Sequence, residues 1–157
     1  FLVNPIKPTD WKRKLLNENL MICLVGEKRF AHNLEKDKIR NFKQNLNIYY
    51  EINDITKKSL DLINSSKENN LIEFSKLINE YWFLKKKLNK KVSNEKIDYY
   101  IDKFKQIGAD GCKLLGAGQG GFILVLANKS VKKKIKKKYF NLNFLDIKAE
   151  FNGSIFV

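Results

Sequence analysis

The chain has 157 residues, of which 31 are lysine or arginine and 17 are aspartate or glutamate, and its formal net charge is +14. This length is sufficient for one compact domain with its own hydrophobic core. The sequence has neither an apolar stretch long enough to cross a bilayer nor a signal-peptide pattern, so we expect a soluble cytoplasmic protein with no membrane partner.

The kind of positive charge argues against a nucleic-acid-binding role. Lysine supplies almost all of the excess, and the only arginines are Arg13, Arg29 and Arg40. Base edges and bidentate phosphate contacts favour arginine. A bias toward lysine, asparagine and isoleucine is also what an AT-rich coding sequence produces without selection for binding. The charge therefore indicates solubility and an affinity for anionic ligands.

Metal binding and disulfide formation have little support in the sequence. Cys23 and Cys112 are the only cysteines, and His32 is the only histidine. Three such residues cannot complete a four-ligand zinc site without carboxylates. Each cysteine lies in an apolar, strand-like run, which favours two buried free thiols. These residues therefore predict no metal site and no disulfide.

The first half of the chain predicts one strand followed by helices. The strand is "ENLMICLVG", residues 18–26, an apolar run that ends in glycine. Helical spacing follows over about residues 33–50 and again over 51–63. Residues 64–70 have turn composition and precede a third helix at about 70–89. The apolar stripe of that third helix consists of Leu71, Phe74, Leu77, Ile78, Tyr81, Leu84 and Leu88.

The second half predicts a helix, two strands, a helix and a strand. The helix "VSNEKIDYYIDKFKQIG" begins at a cap, Ser93 or Asn94, and stops at Gly108. The strands "CKLLGA" and "GFILVLA" surround a glycine-rich loop. The run "KKKIKKK" could be a nucleic-acid or membrane patch, but its narrow apolar stripe favours a helix that docks on the sheet with a solvated outer face. The segment "NFLDIKAEF" alternates as a half-buried strand.

The order of these elements predicts the fold class. One strand, several helices and then a β–β–α–β series is an α+β arrangement. We expect a ferredoxin-like split βαβ sheet whose first crossover is expanded by additional helices. The chain shows no internal repeat and no linker that would divide it in two.

The stretch "GAGQGG", from Gly116 to Gly121, matches the dinucleotide-binding pattern G-x-G-x-x-G literally. That pattern must open a helix, because the pyrophosphate lies on the helix N-terminus, whereas here "FILV" follows and predicts a strand. No Lys-Ser/Thr pair follows, so it is not a Walker loop. Two alternatives remain: a hairpin that needs no ligand, or a loop beside bound phosphate whose amides form an anion nest.

Three stretches resemble a known family. "GADGCKLLGAGQGGFILVLA" is similar to the third signature of the GHMP small-molecule kinases. "INEYWFLKKKLNKKVSNEKIDYYIDKFKQIGADGCKLLGAGQGGF" and "LMICLVGEKRFAHNL" are most similar to the bacterial D-glycero-D-manno-heptose 7-phosphate kinases, which carry a W-x-L-K-K-x-L-S helix before the glycine loop. The resemblance implies a GHMP kinase C-terminal domain at residues 18–157. Residues 1–17 would be the end of the N-terminal kinase domain or a connecting segment.

The resemblance also implies a function. It is the transfer of a phosphoryl group from ATP, with Mg²⁺, to the anomeric hydroxyl of heptose 7-phosphate. The family's P-x-x-x-G-L-G-S-S motif is absent from the sequence. We therefore expect the ATP loop, the catalytic base and the metal ligand in an N-terminal half of the same kinase, and no activity from this chain alone. A domain separated in this way exposes an apolar surface and is expected to self-associate.

The resemblance assigns two sets of site residues. The loop residues would form the wall of the phosphate pocket: Gly116, Ala117, Gly118, Gln119, Gly120 and Gly121. The contacts to the sugar phosphate would be Arg29, Trp82, Lys85 and Lys86. The structural alternatives are that the indole of Trp82 closes the core, that both lysines are solvated charges, and that Arg29 forms a surface salt bridge.

The chain departs from the family pattern at Val25, Asn89 and Gln119, where threonine, serine and glycine are common. None of these changes removes a backbone donor from the loop. A second functional class stays open, a basic ferredoxin-like module that binds nucleic acid. Such a module needs exposed aromatic residues on its central strands, and the two strands around the loop offer only Phe122.

Overall fold

The computed structural model describes residues 6, 8–26, 39–65 and 71–148. Within these ranges the chain forms five α-helices, four β-strands and two short 3₁₀ turns. In chain order the helices and strands are α1 (Asp10–Asn19), β1 (Leu20–Leu24), α2 (Leu46–Asn64), α3 (Leu71–Leu88), α4 (Glu95–Ile107), β2 (Gly111–Leu114), β3 (Phe122–Leu126), α5 (Lys129–Lys138) and β4 (Asn143–Asp146). The 3₁₀ turns are Lys43–Asn45, before α2, and Lys90–Val92, between α3 and α4.

The four strands form one antiparallel sheet in the order β2–β3–β1–β4. Strand β1 lies in the middle, where Cys23 faces Ile123 of β3 on one side and Phe144 of β4 on the other. Helices α2, α3 and α4 lie between β1 and β2 in the chain, and α5 connects β3 to β4. This is the ferredoxin-like arrangement with an expanded first crossover, and the predicted fold class is confirmed.

The main core lies between one face of the sheet and helices α4 and α5. Successive side chains of a strand point to opposite faces, and the alternate residues of β1 and β3 on this face are fully buried. The buried strand residues are Met21, Cys23, Cys112, Leu114, Ile123 and Val125, and the helices contribute Ile97, Ile101, Phe104 and Ile135. The ring of Phe104 makes an edge contact with Tyr139, at 5.6 Å between centroids. Both predicted buried thiols are therefore confirmed.

Helices α1 and α3 pack against one end of the opposite face of the sheet. A smaller cluster joins Leu20 and Leu126 on the strands to Ile78 of α3. Leu16, Leu71 and Phe74 pack against it. Helix α1, which the sequence analysis did not identify, also contacts α2, because Lys12 Nζ donates to the last carbonyls of that helix, at 2.7 Å to Leu62. A buried ammonium at a helix C-terminus satisfies carbonyls that have no partner within the helix.

Most predicted helix boundaries agree with the structure, and one is wrong. Helix α4 begins after Asn94, whose side chain accepts from the amide of Ile97, and it ends at Gly108, which has a φ of 114°. Two helices meeting near residue 50 were predicted, but α2 runs without a break through that point. The break lies earlier, at the 3₁₀ turn, where Asn45 has a φ of −104°. No glycine or proline lies between Leu46 and Asn64, so nothing in that stretch interrupts the hydrogen bonds.

The lysine-rich helix α5 docks on the sheet as expected. Ile135 is fully buried, and Val131 and Tyr139 pack partly buried against the same core. Lys132 is the exception to a solvated lysine face: it is 8% exposed and bonds to the carboxylate of Asp146 and the carbonyl of Leu20. The helix is therefore attached to both central and edge strands by an apolar stripe and one inward-facing lysine.

Candidate functional site: the glycine loop

The glycine-rich loop connects β2 to β3, the two strands that the sequence predicted around it. The amide of Leu115 donates to the carbonyl of Phe122 at 2.8 Å and closes the base of the loop. Gly116, Gly118 and Gly121 have positive φ angles, and so does the non-glycine Gln119, at 64°. The loop is thus longer than a two-residue hairpin turn, and four of its residues adopt a left-handed conformation where the chain reverses direction.

Four hydrogen bonds attach the loop to the rest of the domain. Lys85 Nζ of α3 donates to the carbonyl of Gly116 at 2.6 Å. The amide of Gln119 donates to the carbonyl of Val92 at 2.8 Å, and the carbonyl of Gln119 accepts from Asn94 Nδ2 at 3.2 Å. At the other end, the amide of Val25 donates to the carbonyl of Gly121 at 3.0 Å. Three of the loop's carbonyls are therefore directed toward the domain.

The backbone of the loop also lies directly on its neighbours. A Cβ added to Gly118 would lie 2.7 Å from the carbonyl oxygen of Val92. A Cβ on Gly26, just after β1, would lie 2.9 Å from the Cα of Gly120. By contrast, a Cβ on Gly116 or Gly121 would meet nothing within 4 Å among the described residues. The loop is thus packed through Gly118 on the 3₁₀ turn and through Gly120 on the residue that follows β1, whereas Gly116 and Gly121 have space beside them in the described part of the chain.

The amides of the loop are the groups it can offer a ligand. Among the described residues, five loop N–H groups donate to no backbone carbonyl, those of Gly116, Ala117, Gly118, Gly120 and Gly121. Unpaired amides of consecutive loop residues with left-handed conformations form concave sites that suit an anion. These amides are donors of the kind that a phosphate oxygen accepts from. In the same described ranges, no three histidine, cysteine, aspartate or glutamate side chains lie close enough to hold a metal ion.

The predicted sugar-phosphate residues are divided among different surroundings. The indole of Trp82 is 3% exposed and packs in the main core, and its Nε1 is buried with no hydrogen-bond partner in the described part of the chain. Lys85 is 8% exposed and holds the loop, while Lys86 is half-buried and pairs with Asp98 at 3.0 Å. Arg29 lies outside the described residues. A sugar contact by any of the four stays a prediction.

The turn between α3 and α4 connects Lys86 to the glycine loop through hydrogen bonds. The sequence analysis did not predict this connection. The carboxylate of Asp98 accepts from both Lys86 Nζ and Ser93 Oγ, at 3.0 and 2.9 Å. Asn89 Oδ1 accepts from the amide of Lys91 and thereby caps the 3₁₀ turn. The only sequence signal was the predicted cap at position 93 or 94. Both residues have a role: Ser93 bonds to the carboxylate of Asp98, whereas Asn94 caps α4 and also bonds the carbonyl of Gln119 in the loop.

Residues 57–143, more than half of the chain, match the family described as GHMP kinases C terminal. This chain belongs to that family. The glycine loop lies within the matched segment, between two of its strands. The family of the resemblance is thereby confirmed. The alternative of a nucleic-acid-binding module is not supported, since the matched family and the relative that shares 30% identity are both named as kinases.

Similar proteins act on different molecules according to their names. The chain is 30% identical over 145 residues to the bifunctional fucokinase/GDP-fucose pyrophosphorylase of Arabidopsis thaliana, covering 89% of this chain and 13% of that protein. The solved mevalonate kinase of Methanococcus jannaschii is 24% identical, with a TM-score of 0.68, covering 87% of this chain and 41% of that one. A D-glycero-D-manno-heptose 1-phosphate kinase of B. thetaiotaomicron is 18% identical, with a TM-score of 0.56 over 94% of this chain and 38% of that one.

The similarity to the two solved kinases shows the fold. All three matched proteins are much longer than this chain. It spans 13% of the length of the plant relative and about two fifths of each solved kinase. The activity of the whole protein is therefore argued below as a proposal. Among the described residues, no helix is both long enough and apolar enough to cross a membrane.

Proposed function

We propose that this chain is the C-terminal domain of an ATP-dependent sugar kinase that phosphorylates heptose 7-phosphate at the anomeric hydroxyl. The observation that carries the kinase part is the glycine loop: three of its carbonyls bond to the domain, while five of its amides donate to no backbone carbonyl of the described residues. The sugar part is supported by the resemblance of the α3 helix to heptose 7-phosphate kinases. Two of the relatives are also named for sugars, fucose and a heptose.

The loop would act on phosphate groups and not on the reacting hydroxyl. Phosphoryl transfer is catalysed mainly by positioning and by stabilising the charge that spreads over the transferring group. Amides held by a rigid scaffold can do this without reorganising during the reaction. ATP would supply the phosphoryl group and Mg²⁺ would neutralise its charge. We expect their remaining ligands and the catalytic base in the N-terminal half of the kinase.

The contacts to the sugar phosphate would come from the end of α3 and from the segment after β1. Lys86 is suited to a phosphate, because its ammonium lies at the surface, with 38% of the side chain exposed, and its pairing with Asp98 is exchangeable. Arg29 could add a bidentate contact. Trp82 supports this surface from below, since its ring lies beneath Lys86, 5.8 Å from the ammonium.

The test is a substrate panel with the full-length protein. ADP release would be measured with ATP, Mg²⁺ and one of three acceptors: D-glycero-D-manno-heptose 7-phosphate, L-fucose or mevalonate. The proposal expects kcat/KM for the heptose phosphate to exceed the other two by at least about 100-fold, equivalent to about 2.7 kcal/mol. Phosphorus NMR of the product should show a phosphate on the anomeric carbon.

Each other outcome has a definite meaning. A preference for fucose or mevalonate would retain the kinase and reject the heptose. If the protein is folded and binds ATP but none of the three acceptors causes ADP release, the sugar-kinase proposal is rejected. The Lys86→Met variant provides a second check, because it should raise KM for the heptose phosphate while KM for ATP changes less than twofold. An unchanged KM for the sugar would remove Lys86 from the site.

A further inference from the structure

We infer that Lys85 is a positioning residue, which orients the amides of the glycine loop through the carbonyl of Gly116 and does not itself contact the sugar. This inference rests on the proposed function for its catalytic consequence, but its structural part does not. It revises the role that the resemblance implied for Lys85, a direct contact to the substrate.

The first observation is where the ammonium of Lys85 lies. The side chain leaves the last turn of α3, is 8% exposed, and donates to the carbonyl of Gly116 at 2.6 Å. A cationic donor makes a shorter and stronger hydrogen bond than a neutral one. A buried ammonium is also costly unless it is hydrogen-bonded, so the contact is not readily exchanged for a ligand. Lys86, the next residue, is by comparison 38% exposed.

The second observation is which peptide group Lys85 holds. Gly116 is the second residue after β2 and has a φ of 76°, so the chain leaves the sheet there. In a trans peptide the carbonyl of one residue and the amide of the next point in opposite directions. With the Gly116 carbonyl directed at Lys85, the amide of Ala117 must point away from α3. That amide donates to no backbone carbonyl of the described residues.

The third observation is that the opposite limb of the loop is held in the same manner by neutral groups. Asn94 Nδ2 bonds the carbonyl of Gln119, which directs the amide of Gly120 away from α4. Lys85 and Asn94 therefore act on two separate peptide groups, and each determines the direction of one amide that donates to no backbone carbonyl in the described ranges. Without Lys85, the peptide between Gly116 and Ala117 could rotate, because glycine at Gly116 permits many backbone conformations.

The experiment compares Lys85→Met with Lys87→Met in the full-length kinase. Methionine keeps most of the apolar stem and removes the cation. Lys87 is the matched control: it lies two residues away on the same helix turn, is exposed, and contacts only the ring of Phe83 among the contacts described, at 4.5 Å. Lys85→Gln, which keeps a shorter donor, serves if the methionine variant does not fold.

The first readout needs no substrate. It is the hydrogen exchange of the peptide that covers residues 115–121, in which the amides of Leu115 and Gln119 donate to backbone carbonyls. We expect these to exchange at least about tenfold faster in Lys85→Met, with β1 and β3 unchanged and with no effect in Lys87→Met. Equal exchange in the wild type and in Lys85→Met would overturn the inference.

The second readout separates positioning from direct contact. A misplaced loop should lower kcat/KM for ATP by about 10–100-fold, while KM for the sugar acceptor stays within twofold. A defect confined to KM of the sugar would overturn the inference in favour of direct contact. If the wild type prefers another acceptor, the heptose proposal fails, and the same comparison is made with that acceptor. If it uses none, the exchange result still decides the structural claim.

Discussion

The carbonyl oxygen of Val92 and the Cα of Gly118 leave no space for a side chain between them. A Cβ on Gly118 would lie 2.7 Å from that oxygen and 2.8 Å from the Cα of Val92, and Gly118 has a φ of 131°. The backbones of the 3₁₀ turn after α3 and of the glycine loop are thus in direct contact. The amide of Gln119 also donates a hydrogen bond to the same carbonyl oxygen, at 2.8 Å.

This contact predicts that two loop glycines differ in their tolerance of alanine. Gly118→Ala should lower the free energy of unfolding by about 2–5 kcal/mol, since a left-handed conformation and a steric clash both oppose it. Gly116→Ala should cost only about 1–2 kcal/mol, because its Cβ has open space and only the φ of 76° opposes it. Urea unfolding of the full-length variants measures both. Equal losses would contradict the close approach at Val92.

Asn94 and Asn128 provide a second matched pair. Both are N-caps, accepting from the amides of Ile97 and Val131 at 3.0 Å each, but only Asn94 also bonds the loop. Each alanine variant should lose about 1 kcal/mol of stability. Only Asn94→Ala should accelerate hydrogen exchange at Gln119. If Asn128→Ala had the same effect on Gln119, the loop would respond to general destabilisation and not to its own anchor.

The ion pairs of Asp146 should make the stability of the protein depend on pH. Its hydrogen bond from Lys136, together with that from Lys132, holds the pKa of the carboxyl below its ordinary value although partial burial opposes this. A lowered pKa in the folded state stabilises the protein above the ordinary pKa of about 4, and this contribution is lost as the pH falls below it. Because the carboxylate is 57% exposed, we expect at most about 1 kcal/mol.

The measurement is the melting temperature of the wild type and of Asp146→Asn at pH 7, 5 and 3. The wild type should be the more stable at pH 7, and the difference should shrink at pH 3. Asp54→Asn is the control, since Asp54 pairs with Lys57 at 3.8 Å with both side chains exposed, and its effect should be small throughout. A difference for Asp146→Asn that is unchanged at pH 3 would contradict the ion pairs.

The two thiols should be unreactive in the folded protein. Burial raises the pKa of Cys23 and of Cys112 to about 12, so the thiolate is scarce at pH 8. Iodoacetamide at pH 8 should leave both residues unlabelled in the native protein and label both after denaturation, as peptide mass spectrometry would show. Rapid native labelling at either cysteine would mean that the sheet opens there.

The α2 boundary shows where sequence reasoning fails locally. Helical spacing continues across residue 50, and the predicted division there was an inference from two apolar groupings and not from a breaker residue. The same reasoning succeeded for α4, because its ends carry physical signals: an asparagine side chain that accepts an amide, and a glycine that tolerates a left-handed φ of 114°.

Periodicity and turn residues act over a few neighbouring positions, and they were sufficient to predict the order of strands and helices from β1 onward, apart from the false division near residue 50. They also predicted the ferredoxin-like arrangement, the two buried thiols and the position of the glycine loop. The groups that surround that loop depend instead on contacts between distant parts of the chain. Lys85 and Gly116 are 31 residues apart, and the ring of Trp82 is buried, although the sequence alone left open whether it contacts the sugar phosphate or closes the core. Helical spacing shows which residues share a face, but a long polar side chain can reach several partners, and packing alone selects one.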